Sequence, residues 1–186
     1  MKAAILYKAN TPLEVVDVEQ QGPQAGEARV RVMATGVCHS DWHVINGDWT
    51  LPLPMVLGHE AAGIVEEVGP GVSTVRRGDH IIFSFRPQCG RCFYCASGRS
   101  ILCDGYASPR FVMLDGTHRL RRNGQDINQL ARLGTFAEHV VCPAEMLVPI
   151  STDMPWPQAA LIGCAVPTGV GAVTRCARSK PARRSW

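Results

Sequence analysis

The chain has 186 residues and a mass of 20.2 kDa, room for one ordinary domain and not for two full ones. Apolar residues make up 46% and charged residues 19%, which supports a packed core, argues against disorder and leaves no apolar run long enough for a membrane span. The net charge of +3 is unevenly placed: Arg175, Arg178, Lys180, Arg183 and Arg184 stand together at the end without an acid, and setting those five cations aside leaves −2 for the rest. A nucleic-acid partner is therefore not expected.

In chain order, short strands are predicted over 2–8, 13–19, 29–33, 63–68, 80–85, 137–142 and 146–150. The alternation of Arg29 and Arg31 with Val30 and Val32 is the period of a half-buried strand. Gly22-Pro23, Gly69-Pro70-Gly71 and Arg77-Gly78-Asp79 supply turns between them. A short helix is predicted over 40–45 and another over 157–164, the latter entered through a proline. Residues 104–133, polar and rich in Arg and Gly, read as one long loop. Many short strands with frequent turns predict a mainly β antiparallel barrel or sandwich.

The opening MKAAILYKAN has no sustained apolar stretch, so no secretory signal is read and a cytoplasmic setting is expected. The eight cysteines then read as thiols or metal ligands rather than as a disulfide framework. Cys89, Cys92, Cys95 and Cys103 form C-x2-C-x2-C-x7-C. Four thiolates fill the tetrahedral shell of Zn²⁺ and leave no place for substrate, so a structural zinc lobe is expected; an iron–sulfur cluster is the alternative for the same donors.

A second constellation is dispersed. Cys38 lies in GVCHSDWH, His59 and Glu60 in GHEAAG, and Cys164 in GCAVPTG. Two thiolates and one imidazole from separate segments are the donors a catalytic zinc uses while one coordination position stays open.

These motifs, together with GTFAEHVV, occur in the order found in zinc-dependent medium-chain alcohol dehydrogenases, and residues 1–175 resemble their GroES-like catalytic domain. The formaldehyde-type and nicotinoprotein branch looks most similar. The resemblance implies a mainly β GroES-like barrel with short helices and the four-cysteine lobe. It implies that Cys38, His59 and Cys164 hold a catalytic zinc, with Glu60 beside it as an occasional ligand or a partner just outside the ligand set, giving two zinc ions per chain. Asp41 would accept the second ring N–H of His59. Ser40 would take the proton from a small alcohol substrate, which leaves as an aldehyde or ketone, and His43 would relay it. His39 would face the pyrophosphate of NAD and Thr168 its nicotinamide.

The residues also read locally: Ser40 as a helix cap, Asp41 as a turn cap, His43 as a solvated imidazole. No G-x-G-x-x-G turn opening a βαβ unit is present; Gly169-Val170-Gly171-Ala172-Val173-Thr174 ends in Thr. The expected organisation is a catalytic domain over 1–155, a linking helical segment over 156–175 that begins a Rossmann domain missing here, and an atypical basic tail over 176–186. A frameshift, a premature stop or a separate polypeptide would account for the missing domain. A non-catalytic zinc-binding remnant is the competing functional expectation, and the oligomeric state is left open.

Overall fold

The structure is a computed structural model that describes residues 1–106 and 109–177. The basic tail expected over 176–186 lies almost wholly outside the described residues.

In chain order the strands are β1 (Lys2–Leu6), β2 (Glu14–Asp17), β3 (Glu19–Gln20), β4 (Glu27–Thr35), β5 (Met55–Val56), β6 (Ala61–Val68), β7 (His80–Phe83), β8 (Leu120–Arg122), β9 (Gln125–Gln129), β10 (His139–Pro143) and β11 (Leu147–Pro149). The helices are α1 (His39–Ile45), α2 (Phe93–Ala96), α3 (Trp156–Leu161) and α4 (Ala165–Gly171), the last running on into a π-turn over Ala172–Cys176. Two sheets form the barrel, one ordered β2-β1-β5-β9-β8-β3 and the other β10-β4-β6-β7-β11. Every pairing is antiparallel except β5 with β9.

Strand β4 holds the second sheet together, pairing with β10 on one side and β6 on the other. Its alternation works as predicted: Val30 is fully buried, while Arg29 and Arg31 turn outward to Glu67 at 3.0 Å and Glu66 at 3.3 Å. Val30, Val65, Ile81, Phe83, Val140 and Met146 fill the main core, and Ile5, Val56, Leu120 and Ile127 fill a second under the six-stranded sheet. Helix α3 covers the outer face of the second sheet through Ala159 and Ala160, which bury against Ala62 and Ile82.

Two expectations need correction. Residues 104–133 are not a single loop, because they contain β8 and β9 in a hairpin turned by Asn123 and Gly124 at φ +51° and +79°. The polarity that suggested a loop is absorbed by ion pairs. Arg119, 2% exposed, is held by Glu27 through two bonds of 2.7 Å, and Asp115 accepts a third at 2.7 Å. The helix expected over 157–164 also ends earlier, at Leu161, and a separate helix starts after Cys164.

Candidate metal centres and the cavity above one of them

Two groups of metal-ligating side chains converge among the described residues. The first is the four-cysteine run, wrapped around α2 and the tight turns beside it, with all four Sγ atoms within 4.8 Å of one another. Cys89 and Cys95 Sγ are 4.0 Å apart, and Cys92 and Cys103 Sγ are 3.9 Å apart. A tetrahedron with Zn–S bonds of about 2.3 Å has edges of about 3.8 Å, so the pocket has zinc dimensions without rearrangement. Backbone N–H groups of Cys89, Cys92 and Cys95 point at the sulfurs of Cys103, Cys89 and Cys92 at 3.3–3.4 Å. Those donors favour thiolate. The N–H groups of Arg91 and Cys92 hold Cys89 down to about 6, whereas burial, and then Cys92, push Cys95 up to about 12. Four crowded sulfurs cannot all ionise unless a cation balances them.

The second group is built from three segments. Cys38 is the N-cap of α1, and the helix opens with a reciprocal capping box: the Asp41 carboxylate accepts the Cys38 N–H at 3.1 Å while the Cys38 side chain faces the Asp41 N–H. His59 follows Gly58, whose φ of +88° and lack of a side chain are both required, since a Cβ there would meet Thr135 Oγ1 at 2.5 Å. Cys164 follows Gly163, which lies against the Phe83 carbonyl of β7 so closely that a Cβ would sit 2.6 Å from it. These turns bring Cys38 Sγ and Cys164 Sγ to 3.9 Å, and the trio of Cys38, His59 and Cys164 offers donors all within 4.8 Å of one another.

Asp41, fully buried, ties this group together. Its Oδ1 accepts the Gly58 N–H at 2.9 Å and lies 3.4 Å from His59 Nδ1, which leaves the other ring nitrogen for coordination. Burial pushes the His59 imidazole down, but Asp41 and then Cys38 outweigh it and its pKa is raised. Burial likewise works against the Cys38 thiolate, yet the Ser40 N–H and hydroxyl, with His59, lower its pKa. Cys164 goes the other way, to about 11, through burial and the neighbouring Cys38 charge.

The remaining expected residues are placed as follows. Ser40 does not cap the helix; its Oγ is 3.6 Å from Cys38 Sγ and faces the cavity. His43 is hydrogen-bonded to Asp48 at 2.9 Å and stacks on Trp49, and the exposed His39 meets it edge-on at 4.7 Å. Thr168, on the first turn of α4, donates its backbone N–H to the Cys164 carbonyl at 3.1 Å. Glu60 does not join the trio of donors. It is 2% exposed and lies beside Cys164, and its Oε1 accepts the Ala165 N–H at 2.7 Å, which anchors α4.

Above the trio opens a cavity of about 300 Å³ whose floor is Ser40, His59 and Cys164 and whose walls include Trp49, Leu51, Phe85, Phe111 and Leu130. Phe85 meets the His59 ring edge-on at 5.4 Å. Sequence reading missed these walls, because Phe111, Leu130 and Ala131 belong to the stretch read as a loop. A small apolar chamber over an open-sided N,S₂ donor set suits polarisation of one oxygen of a small organic molecule.

Comparison with known proteins gives the family. The chain belongs to the alcohol dehydrogenase GroES-like domain family, whose model matches residues 24–152. It is 45% identical over 169 residues to the NDMA-dependent alcohol dehydrogenase of Amycolatopsis methanolica, covering 90% of this chain and 46% of that protein. Among solved structures it is similar to an alcohol dehydrogenase zinc-binding domain protein from Burkholderia ambifaria, with a TM-score of 0.86 and 32% identity over 94% of this chain and 48% of the other. The benzyl alcohol dehydrogenase of Acinetobacter calcoaceticus follows at a TM-score of 0.84 and 31% identity, over 97% of this chain and 49% of the other. The chain spans about half the length of these relatives. No helix among the described residues is long and apolar enough to cross a membrane.

Proposed function

We propose that this chain is the zinc-holding, substrate-binding part of an alcohol dehydrogenase that oxidises a small alcohol to an aldehyde or ketone with NAD. The observation that carries the reading is the meeting of Cys38, His59 and Cys164 at the floor of one apolar cavity. In this reading those three residues hold a catalytic zinc, and Cys89, Cys92, Cys95 and Cys103 hold a structural one. A zinc ion at the open site would supply a Lewis acid that makes the alcohol proton easier to lose near neutral pH.

The protein's own groups do the rest. Ser40, the hydroxyl facing the cavity beside Cys38, receives that proton. His43, steadied by Asp48 and Trp49, passes it toward solvent. Asp41 acts through His59 by fixing its ring, and Phe85, Phe111 and Leu130 exclude water from the reacting carbon. His39 and Thr168 are the proposed contacts to the dinucleotide.

Metal counting by native mass spectrometry tests the assignment. Wild-type chain should carry two zinc ions, Cys38→Ser one with the barrel intact, and Cys92→Ser one with a loosened lobe. Fewer than two in the wild type, or two in either variant, refutes it. The competing reading is a metal-binding chain without turnover. Calorimetric titration with NAD separates the two: the dehydrogenase reading expects binding, and the alternative expects none.

A further inference from the structure

We propose that the substrate of this cavity carries a carboxylate, set apart from its alcohol carbon by an apolar spacer, and that Arg86 and Arg110 receive that carboxylate. The inference rests on the alcohol reading above and adds to it the chemical class of the substrate.

The cavity is polar at two places only. One is the floor, and the other is formed by Arg86 and Arg110; among the described residues no Asp or Glu lines it. Each arginine adjoins a wall residue in sequence, Phe85-Arg86 and Arg110-Phe111, so aromatic wall and cationic rim are built by the same two backbone turns. The Arg86 guanidinium lies 6.0 Å from the Phe85 ring centroid, over its face. Neither guanidinium forms a salt bridge with a carboxylate among the described residues. They also disfavour one another, since partial burial and then the Arg86 charge lower the pKa of Arg110.

Two like charges left facing one apolar chamber are relieved by an anion that enters it. The floor does not compete for that anion, because two thiolates balance a divalent ion and a coordinating imidazole is neutral. A planar carboxylate suits two guanidinium forks. The ligand that satisfies the whole chamber therefore has a hydroxyl at one end, an aromatic or aliphatic middle against Phe85, Phe111 and Leu130, and a carboxylate at the other.

The arginines have one competing role. They also border Cys103 through an adjoining crevice, where they would offset the charge of the four-thiolate lobe. The test separates the two on the full chain loaded with cobalt, using 4-(hydroxymethyl)benzoate and its methyl ester as probes. Visible absorption of the cobalt reports arrival of the hydroxyl at the metal, and calorimetry gives affinity. The acid should bind about tenfold more tightly than the ester, a modest ratio because both arginines are exposed to solvent. In the double variant Arg86→Gln, Arg110→Gln the ratio should fall to within about twofold while the ester's affinity holds.

Equal affinities in the wild type, with both probes shifting the cobalt spectrum, overturn the carboxylate inference and leave the alcohol reading standing. No spectral shift with either probe refutes the alcohol reading, and the inference with it. A preference that survives the double substitution puts the carboxylate on the metal and overturns the inference. So does loss of lobe metal in the variant with an unchanged ratio, which would make the arginines counter-ions of the thiolates. The wild-type comparison needs no variant to fold.

Discussion

Replacing Asp41 with asparagine tests how the open metal centre is assembled. The carboxylate is fully buried and faces three donors: the Cys38 N–H at 3.1 Å, the Gly58 N–H at 2.9 Å and His59 Nδ1 at 3.4 Å. Asparagine keeps one acceptor oxygen and turns an NH₂ toward at least one donor. One charge-assisted bond is lost and one buried N–H is left without a partner. At about 1.5–3 kcal/mol for a bond to a charged group, the metal-free chain should lose about 2 kcal/mol of unfolding free energy. The loaded chain should lose more, because His59 is no longer held for coordination. A 10–100-fold weaker zinc affinity, typical of such outer partners, adds about 1.4–2.7 kcal/mol to the difference between variant and wild type. Urea unfolding with and without buffered zinc measures both terms, and chelator competition measures the affinity directly. If asparagine stays within about 0.5 kcal/mol of wild type in both states, Asp41 is not what holds Cys38, Gly58 and His59 together.

Three further outcomes follow from the same geometry. Glu27→Gln leaves the buried Arg119 with one strong partner in place of two and should destabilise the chain by about 3 kcal/mol in thermal or urea unfolding; a loss under 1 kcal/mol would show that Asp115 alone suffices. Gly58→Ala forces both a left-handed alanine and a clash with Thr135, and should cost on the order of 3 kcal/mol together with zinc at the open site, read by metal counting. Asp115 is held at about 2, against the pull of burial, by Thr117 and Arg119. Its folded pKa is depressed, so the stability it contributes is present above about pH 4 and fades as pH falls toward 2. Asp115→Asn should flatten that part of the acid-unfolding curve, and an unchanged acid midpoint would refute the linkage.

Most of the barrel was legible because its strands obey local rules. The alternation around Val30 marked β4, and the turn signals Gly69-Pro70-Gly71 and Arg77-Gly78-Asp79 marked where β6 ends and β7 begins. The cysteine run was legible because four thiols at short spacings have few other uses. The hairpin of β8 and β9 was hidden. Its strands read LRR and QDINQ, with charges that satisfy one another only across space, as Arg121 does with Asp126 at 2.6 Å. Asn123-Gly124 was the available signal, the dipeptide suited to a tight hairpin turn. Met55–Val56 was hidden for another reason, since two residues between Pro54 and Leu57-Gly58 carry no period. At the open centre, the resemblance put Glu60 beside the metal, as an occasional ligand or a partner just outside the ligand set. Only the fold reveals that its carboxylate points to the Ala165 N–H.

That last bond ties metal loading to the placement of a helix. Helix α4 has two moorings to the barrel at its first turn, the Glu60 carboxylate at Ala165 and the sulfur of Cys164 in the donor trio. Both lead back to the same pair of residues at the head of β6, so a metal held by the trio would act as a clasp between a rigid sheet and a short, mostly exposed rod. Opening the clasp should let the rod swing while the barrel stays whole. Amide exchange along 165–171 would then quicken on chelation, ahead of any change in β4 or β6.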